Sequence, residues 1–185
     1  LAINTLVEKQ KIFKVSEGDE DFINIYKDKR DSCIQIFFLR DGKISGREHF
    51  IIENTGDEPE KNILSQFIVN FYSGTAKIPR NIYVPYIEEK ELLEEFLTIK
   101  REGKAWIKIP QKGEKKNLLE MVKDNGKVTL EQFKDKILKE KEINRKNLEE
   151  IQNILSLDEP PFRIEAYDIS NIQGVDSVGT MIVFE

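Results

Sequence analysis

Alternating apolar and polar positions dominate the first third of the chain and predict β-strands there. Residues 21–26 alternate with period two, which is typical of a half-buried strand. Residues 33–39 are apolar at every position except Gln35, as in a strand covered on both faces. Asp41 and Gly42 then form the dipeptide most characteristic of a tight hairpin, and residues 43–52 supply the return strand. The pattern predicts a three-stranded antiparallel meander.

Helical spacing follows the meander. It begins at Ile63 and ends at Gly74, a residue type suited to closing a helix. Strands and helices then alternate, which after a meander is the element order of the ribonuclease H-like fold. We therefore expect an α/β domain with a mixed five-stranded sheet and flanking helices. Its later elements are strands at 81–86 and 105–109 and helices at 88–102 and from Gly113 through Val122.

The last third of the chain is predicted to contain a charged helical segment followed by two β-strands. Residues 129–157 carry an apolar stripe through many charges and predict one long helix or two, stopped by the acidic and proline-rich residues 158–161. Strands at 162–170 and 178–184, with a turn at 173–176, form a terminal hairpin. Because a two-stranded hairpin is marginal alone, we interpret it as the beginning of a second ribonuclease H-like sheet and the chain as cut inside a domain.

The amino-acid composition argues against several classes of protein. The 185 residues are 39% hydrophobic and 34% charged, enough for a packed core. Cys33 is the only cysteine, which excludes disulfide scaffolds and cysteine-based zinc sites and indicates a reducing, cytoplasmic compartment. His49 is the only histidine, which argues against Ser-His-Asp catalysis. The net charge of −5 argues against a small basic nucleic-acid module but leaves a local basic patch open. No apolar run reaches the roughly 18 residues of a membrane helix.

Asp168 is the most informative single residue. It lies inside a predicted strand, where Asp is disfavoured, on the face that also carries Ile164 and Ala166. A carboxylate among apolar neighbours needs a partner, and a divalent cation is a common one. The alternative is an aspartate at a strand end that caps the following turn.

A basic segment lies between residues 100 and 127, with nine Lys or Arg against four acids. Within it Lys112, Lys115 and Lys116 flank the predicted start of a helix, where ammonium groups and free backbone amides can hold phosphate oxygens. The alternative to phosphate binding is a lysine-rich surface that contacts only water. The charge of the segment, taken alone, favours this alternative.

The predicted first sheet lacks a converging set of carboxylates. Asp21, Glu48 and Glu53 are spread over its first and third strands, and the predicted second strand and first helix carry none. We therefore expect this sheet to be a scaffold, with His49 a half-buried strand residue and Cys33 a small core residue.

Several stretches together resemble the UvrC family of bacterial excinucleases. The resemblance is strongest at the terminal hairpin and runs collinearly through nearly the whole chain. The matching stretches are FRIEAYDISNIQG at 162–174, SVGTMIVFE at 177–185, QIFFLRDG at 35–42, GREHF at 46–50, FYSG at 71–74 and IPQKGEK at 109–115.

The resemblance implies a protein that incises damaged double-stranded DNA on both sides of a lesion in nucleotide excision repair, with UvrB as a partner. It implies that the 5′ cut uses an Asp-Asp-His set with a divalent metal, Mg²⁺ or Mn²⁺. Asp168 matches the first catalytic Asp and a metal ligand, and the other two residues would lie beyond Glu185. On this basis the isolated chain should be inactive.

The resemblance also implies a division of the chain. Residues 1–12 would be the tail of a UvrB-binding segment, 13–128 a middle ribonuclease H-like domain without catalytic carboxylates, 129–161 a helical connector and 162–185 the first hairpin of the endonuclease domain. The rival interpretation is a non-catalytic module that contacts proteins or positions DNA, with a purely structural ribonuclease H-like fold.

Overall fold

A computed structural model describes residues 18–172 and 175–184, with the backbone alone at 171, 172 and 175–177. The predicted helical tail at residues 1–11 and the centre of the predicted turn at 173–176 lie outside the described residues. The elements are β1 (Glu20–Lys27), β2 (Ser32–Arg40), β3 (Lys43–Ile52), α1 (Glu60–Gly74), β4 (Asn81–Tyr83), α2 (Lys90–Arg101), β5 (Trp106–Lys108), α3 (Glu114–Leu155), β6 (Ile164–Ile172) and β7 (Val175–Phe184).

The first five strands form one mixed sheet in the order β3-β2-β1-β4-β5. β1, β2 and β3 make the predicted antiparallel meander, and β4 and β5 join β1 in parallel. Asp41 and Gly42 have φ values of 49° and 73°, the left-handed conformations that a tight two-residue hairpin needs. The predicted mixed five-stranded sheet with flanking helices is confirmed.

β2 lies between β1 and β3, and nearly all of its apolar side chains are buried, on both faces, as the apolar run at 33–39 predicts. One face packs against α1 and α2, where Tyr72 and Leu97 are fully buried. The other face packs against the first part of α3 through Leu118, Leu119 and Val122. In α1 and α2, Leu93 is buried, whereas Phe67, Phe71 and Phe96 are half-buried at the margin of the core.

Several element bounds differ from the prediction by a few residues, and two of the differences have a local reason. α2 begins at Lys90 instead of residue 88 because Glu89 adopts a left-handed conformation with φ 49°. β4 ends at Tyr83 because Pro85, two residues later, has no N–H to continue the pairing.

α3 is one continuous helix of 42 residues, whereas the sequence pattern left a gap between the helix ending at Val122 and the helix beginning at Thr129. Gly126 lies in that gap. A Cβ there would stand 3.4 Å from the Cys33 carbonyl oxygen and 3.6 Å from the Gln35 Cβ, which are ordinary van der Waals contacts, so the helix lies directly against β2 at this position. Glycine therefore lies inside the helix and does not end it.

The chain divides into two compact units, Leu1–Gln132 and Phe133–Glu185. In the second, β6 and β7 pair with each other in an antiparallel two-stranded sheet. No helix in the described part of the chain is long and apolar enough to cross a membrane.

Candidate functional site

Asp168 lies within β6, as predicted, and its side chain is exposed. It stands directly opposite Thr180 of β7. Because side chains alternate along a strand, Ile164 and Ala166 share its face and Glu165 lies on the other. The carboxylate is thus presented at the surface of the hairpin, on a face that is otherwise mostly apolar.

Both faces of the hairpin expose large apolar side chains. Ile169 is 75% exposed and Phe184 is 60% exposed, in strands whose composition is that of a buried sheet. Exposed apolar area of this extent marks a surface made to be covered. The exposed members are Ile164, Tyr167, Ile169, Val178, Met181, Ile182 and Phe184.

The described residues do not complete a metal site around Asp168. Glu165 points to the opposite face, where it accepts a hydrogen bond from Arg163 Nε at 2.7 Å and another from the Tyr167 hydroxyl. These hydrogen bonds, Tyr167 first and then Arg163, lower the pKa of Glu165. Among the side chains that the structure describes, at residues 18–170 and 178–184, no group of three His, Cys, Asp or Glu could hold a metal ion. Asp168 would therefore be a single ligand, and a cation needs several oxygen donors.

The first sheet contains a buried carboxylate that the sequence reasoning missed. Glu20, at the start of β1, is 1% exposed. Its Oε1 lies 2.8 Å from the Lys115 ammonium of α3 and accepts a 3.0 Å hydrogen bond from the Tyr83 hydroxyl. Burial disfavours the charged form of Lys115, but its hydrogen bonds to Glu20 and Tyr83 outweigh that effect and raise its pKa.

Asp21 makes a second buried cluster on the opposite face of β1. It is 1% exposed, accepts a 2.8 Å hydrogen bond from Arg40 and accepts a 2.7 Å hydrogen bond from the Tyr72 hydroxyl. Burial raises the pKa of Asp21, and the hydrogen bonds from Arg40 and Tyr72 oppose that rise. Arg40 also lies 3.7 Å from Asp19, which in turn pairs with Lys77 at 2.6 Å.

These buried acids do not converge. Glu20 and Asp21 are consecutive in a strand, so their side chains leave opposite faces of the sheet, and each meets its own cation and tyrosine. Glu48 and Glu53, the other acids considered in the sequence, are exposed. The arrangement joins the sheet to its helices and does not gather oxygen ligands at one point.

The three candidate phosphate-binding lysines meet different surroundings. Lys112 is exposed in the loop before α3. Lys115 turns onto the sheet and pairs with Glu20, and Lys116 pairs with Glu120 at 2.7 Å on the outer surface of the helix. The hydrogen bond from Lys116 lowers the pKa of Glu120. Two of the three ammonium groups are therefore engaged by carboxylates.

The surroundings of His49 and Cys33 do not favour a catalytic role for either residue. His49 is exposed, where the sequence predicted it to be half-buried, because β3 is an edge strand. Cys33 is fully buried, as predicted, and burial raises the pKa of its thiol to about 11. A buried thiol with so high a pKa is inert.

Comparison with known proteins identifies the family. A sequence profile described as the UvrC Ribonuclease H-like domain matches residues 19–133, which is more than half of the chain. The chain belongs to the UvrC family. A second profile, described as the UvrC RNAse H endonuclease domain, matches residues 152–185, the stretch that carries Asp168. The resemblance seen in the sequence is confirmed.

Relatives at high identity support the same assignment. The UvrABC system protein C of Clostridium beijerinckii is 66% identical over all 185 residues, and that of Clostridium perfringens strain 13 is 62% identical over an alignment that covers the whole chain. The chain spans 30% of the length of each relative. A solved Bacteroides thetaiotaomicron protein with an actin-like ATPase fold and unknown function covers 58% of this chain and 38% of its own at 14% identity, and its TM-score of 0.31 supports no conclusion.

Proposed function

We propose that the chain acts within a longer UvrC protein of the UvrABC excision repair complex, which cuts damaged double-stranded DNA on both sides of a lesion. The observation that carries this proposal is the match of the UvrC endonuclease profile to residues 152–185. In this proposal the partners are UvrB and damaged DNA, and the compartment is the cytoplasm. The five-stranded sheet is a scaffold, and the hairpin supplies the opening strands of the 5′-incising nuclease.

Asp168 is the proposed catalytic residue and metal ligand. Its exposed carboxylate on β6 is open to a cation, whereas Glu20 and Asp21 are already neutralised inside the first sheet. A divalent metal, Mg²⁺ or Mn²⁺, would supply Lewis-acid activation when bound. Because the described residues contribute one ligand to it, we propose that the isolated chain does not cut DNA.

The decisive experiment replaces Asp168 in the full-length protein. Asp168→Ala should abolish 5′ incision of a damaged duplex in the presence of UvrA, UvrB and Mg²⁺ and leave 3′ incision nearly unchanged. Glu165→Ala is the matched control, since it removes another carboxylate from the other face of the same strand. Normal 5′ incision by Asp168→Ala, or equal loss in both variants, would contradict the assignment.

The rival function is a module that positions DNA without catalysis, and the basic segment is the observation that favours it. Lys112 and Lys116 are the better candidates for phosphate contacts, because Lys115 is committed to a buried carboxylate. Such contacts would read charge and not sequence. A positioning role and a catalytic Asp168 are compatible within one protein.

A further inference from the structure

The β5 end of the first sheet is open on the face that α3 covers elsewhere. Aligned residues of parallel strands point to the same face, so each cross-strand row can be followed from β1 to β5. Exposure rises along these rows, from 1% at Glu20 to 40% at Trp106. The two rows are Glu20, Asn81 and Trp106, and Phe22, Tyr83 and Lys108.

Trp106 is the notable residue on this open face. It is 40% exposed although the next residue, Ile107, is fully buried on the other side of the sheet. It is also the only tryptophan of the chain. An indole ring that remains at the surface offers a large planar contact area at a low cost in conformational entropy.

Cations flank the indole. Lys108 lies two residues after Trp106 within β5, so strand alternation places both side chains on one face, and Lys104 lies in the loop just before β5. The Lys104 ammonium is 5.8 Å from the Trp106 ring centre, near the outer limit of a cation–π contact, and is therefore weakly held. The Lys108 ammonium is 5.9 Å from the Tyr83 ring centre and exposed.

We propose that Trp106, Lys104 and Lys108 form a site for single-stranded DNA, with an unpaired base stacked on the indole and the neighbouring phosphates held by the two lysines. Every base has a flat face, so aromatic stacking together with ammonium groups binds single strands with little sequence preference. The inference adds a binding site to the proposed repair function and uses none of the residues assigned to incision.

An acidic peptide is the competing occupant, and the chemistry of the face favours DNA. A peptide carboxylate would engage Lys104 and Lys108 but would gain little from the flat surface of Trp106. Single-stranded DNA uses both features, since its phosphates and its bases alternate along the strand as the lysines and the indole do here.

The single tryptophan makes the site directly observable. Titration of the chain with a short oligothymidylate at low salt should quench Trp106 fluorescence, because the base stacks on the emitting ring. Poly-glutamate of similar length should leave the fluorescence nearly unchanged. Absence of quenching by DNA, or equal quenching by both polymers, would overturn the proposal.

Variants measured with fluorescently labelled oligothymidylate complete the test. Trp106→Ala should weaken binding roughly 5- to 150-fold, the usual effect of losing one stacking side chain, and Trp106→Phe should retain part of the affinity. The Lys104→Ala, Lys108→Ala double variant should reduce the slope of log K against log salt by about 1.4, or about 0.7 for each lost phosphate contact.

The matched control is Lys29→Ala with Lys43→Ala. It removes the same charge from exposed positions of the turn after β1 and of β3, the opposite edge strand. The control should keep both affinity and slope, and an equal fall in control and test variants would overturn the site. Since no assay here involves incision, failure of the Asp168 experiment would leave this result standing, and the reverse also holds.

Discussion

The two sheets of the chain differ in whether their apolar and acidic side chains are buried or exposed. In the five-stranded sheet the central strands β1 and β2 are covered on both faces, and the acids Glu20 and Asp21 are buried and paired with cations. In the hairpin of β6 and β7 the apolar side chains are exposed on both faces, and Asp168 is exposed among them. An acid inside a finished core contributes to the fold, whereas an acid on an open sheet remains available for chemistry.

The same contrast explains why a single fold name does not assign a function. Both segments match UvrC ribonuclease H-type profiles. In the first, buried charge is neutralised by Lys115 and Arg40, which leaves those acids no free charge with which to bind a metal. The chemistry therefore resides in the site and not in the fold.

The largest expected difference between the two regions is in the cost of deleting apolar side chains. Ile36 is fully buried in β2, and Ile169 is 75% exposed in β6. Ile36→Ala should lower the free energy of unfolding by about 3 to 4 kcal/mol, as buried truncations do. Ile169→Ala should change it by less than about 0.5 kcal/mol. Urea denaturation of both variants measures the contrast, and similar losses would mean that the hairpin face is covered.

The next largest effect concerns the ion pair between α3 and β1. Lys115→Met leaves Glu20 buried without this cation and should cost about 3 kcal/mol, the low end for a buried pair because Lys115 keeps some contact with water. Lys116→Met is the control on the same helical turn. Its exposed pair with Glu120 should be worth only about 0.3 to 0.5 kcal/mol. Equal losses of stability in the two variants, measured by thermal or urea denaturation, would show that the buried pair with Glu20 stabilises the fold no more than the exposed pair with Glu120 does.

A smaller effect should appear in the pH dependence of Asp21. Burial raises the pKa of Asp21 above the ordinary value of an aspartate, so the folded state favours the protonated form. The contribution of this group to stability is therefore complete below the unfolded pKa and declines as the pH rises through the folded pKa.

Comparison with Asp21→Asn isolates that contribution. The stability advantage of the wild type over the variant should shrink as the pH rises above about 4, the ordinary pKa of an aspartate. Chemical denaturation at a series of pH values measures it. An advantage that grows with pH would mean that the pairing with Arg40 dominates over burial.

Much of the fold could be predicted because it is encoded locally. The unbroken apolar run of β2 predicts a central strand, and Asp41 with Gly42 predicts the tight hairpin, since both depend on neighbours in sequence. The continuity of α3 could not be predicted. Gly126 weakens a helix by propensity, and the packing of α3 against β2 at this position depends on residues distant in sequence.

The pairing of the buried acids with their cations could not be predicted from the sequence either. Glu20 and Lys115 are 95 positions apart, and no local pattern links them. The sequence therefore grouped Lys115 with Lys112 and Lys116 as a candidate phosphate site, although its ammonium lies on the sheet. Asp168 was accessible to sequence reasoning because an acid inside an apolar strand is a local anomaly. Its role as a catalytic residue stays a prediction.

The most direct test of the account exchanges one acid in each sheet for its amide. In the full-length protein, Asp168→Asn should lose 5′ incision and retain 3′ incision, while its far-ultraviolet circular dichroism and thermal stability stay unchanged. Glu20→Gln should lower thermal stability but retain both incisions at temperatures where it is folded. Loss of 5′ incision by folded Glu20→Gln, or normal 5′ incision by Asp168→Asn, would contradict the division between a structural and a catalytic carboxylate.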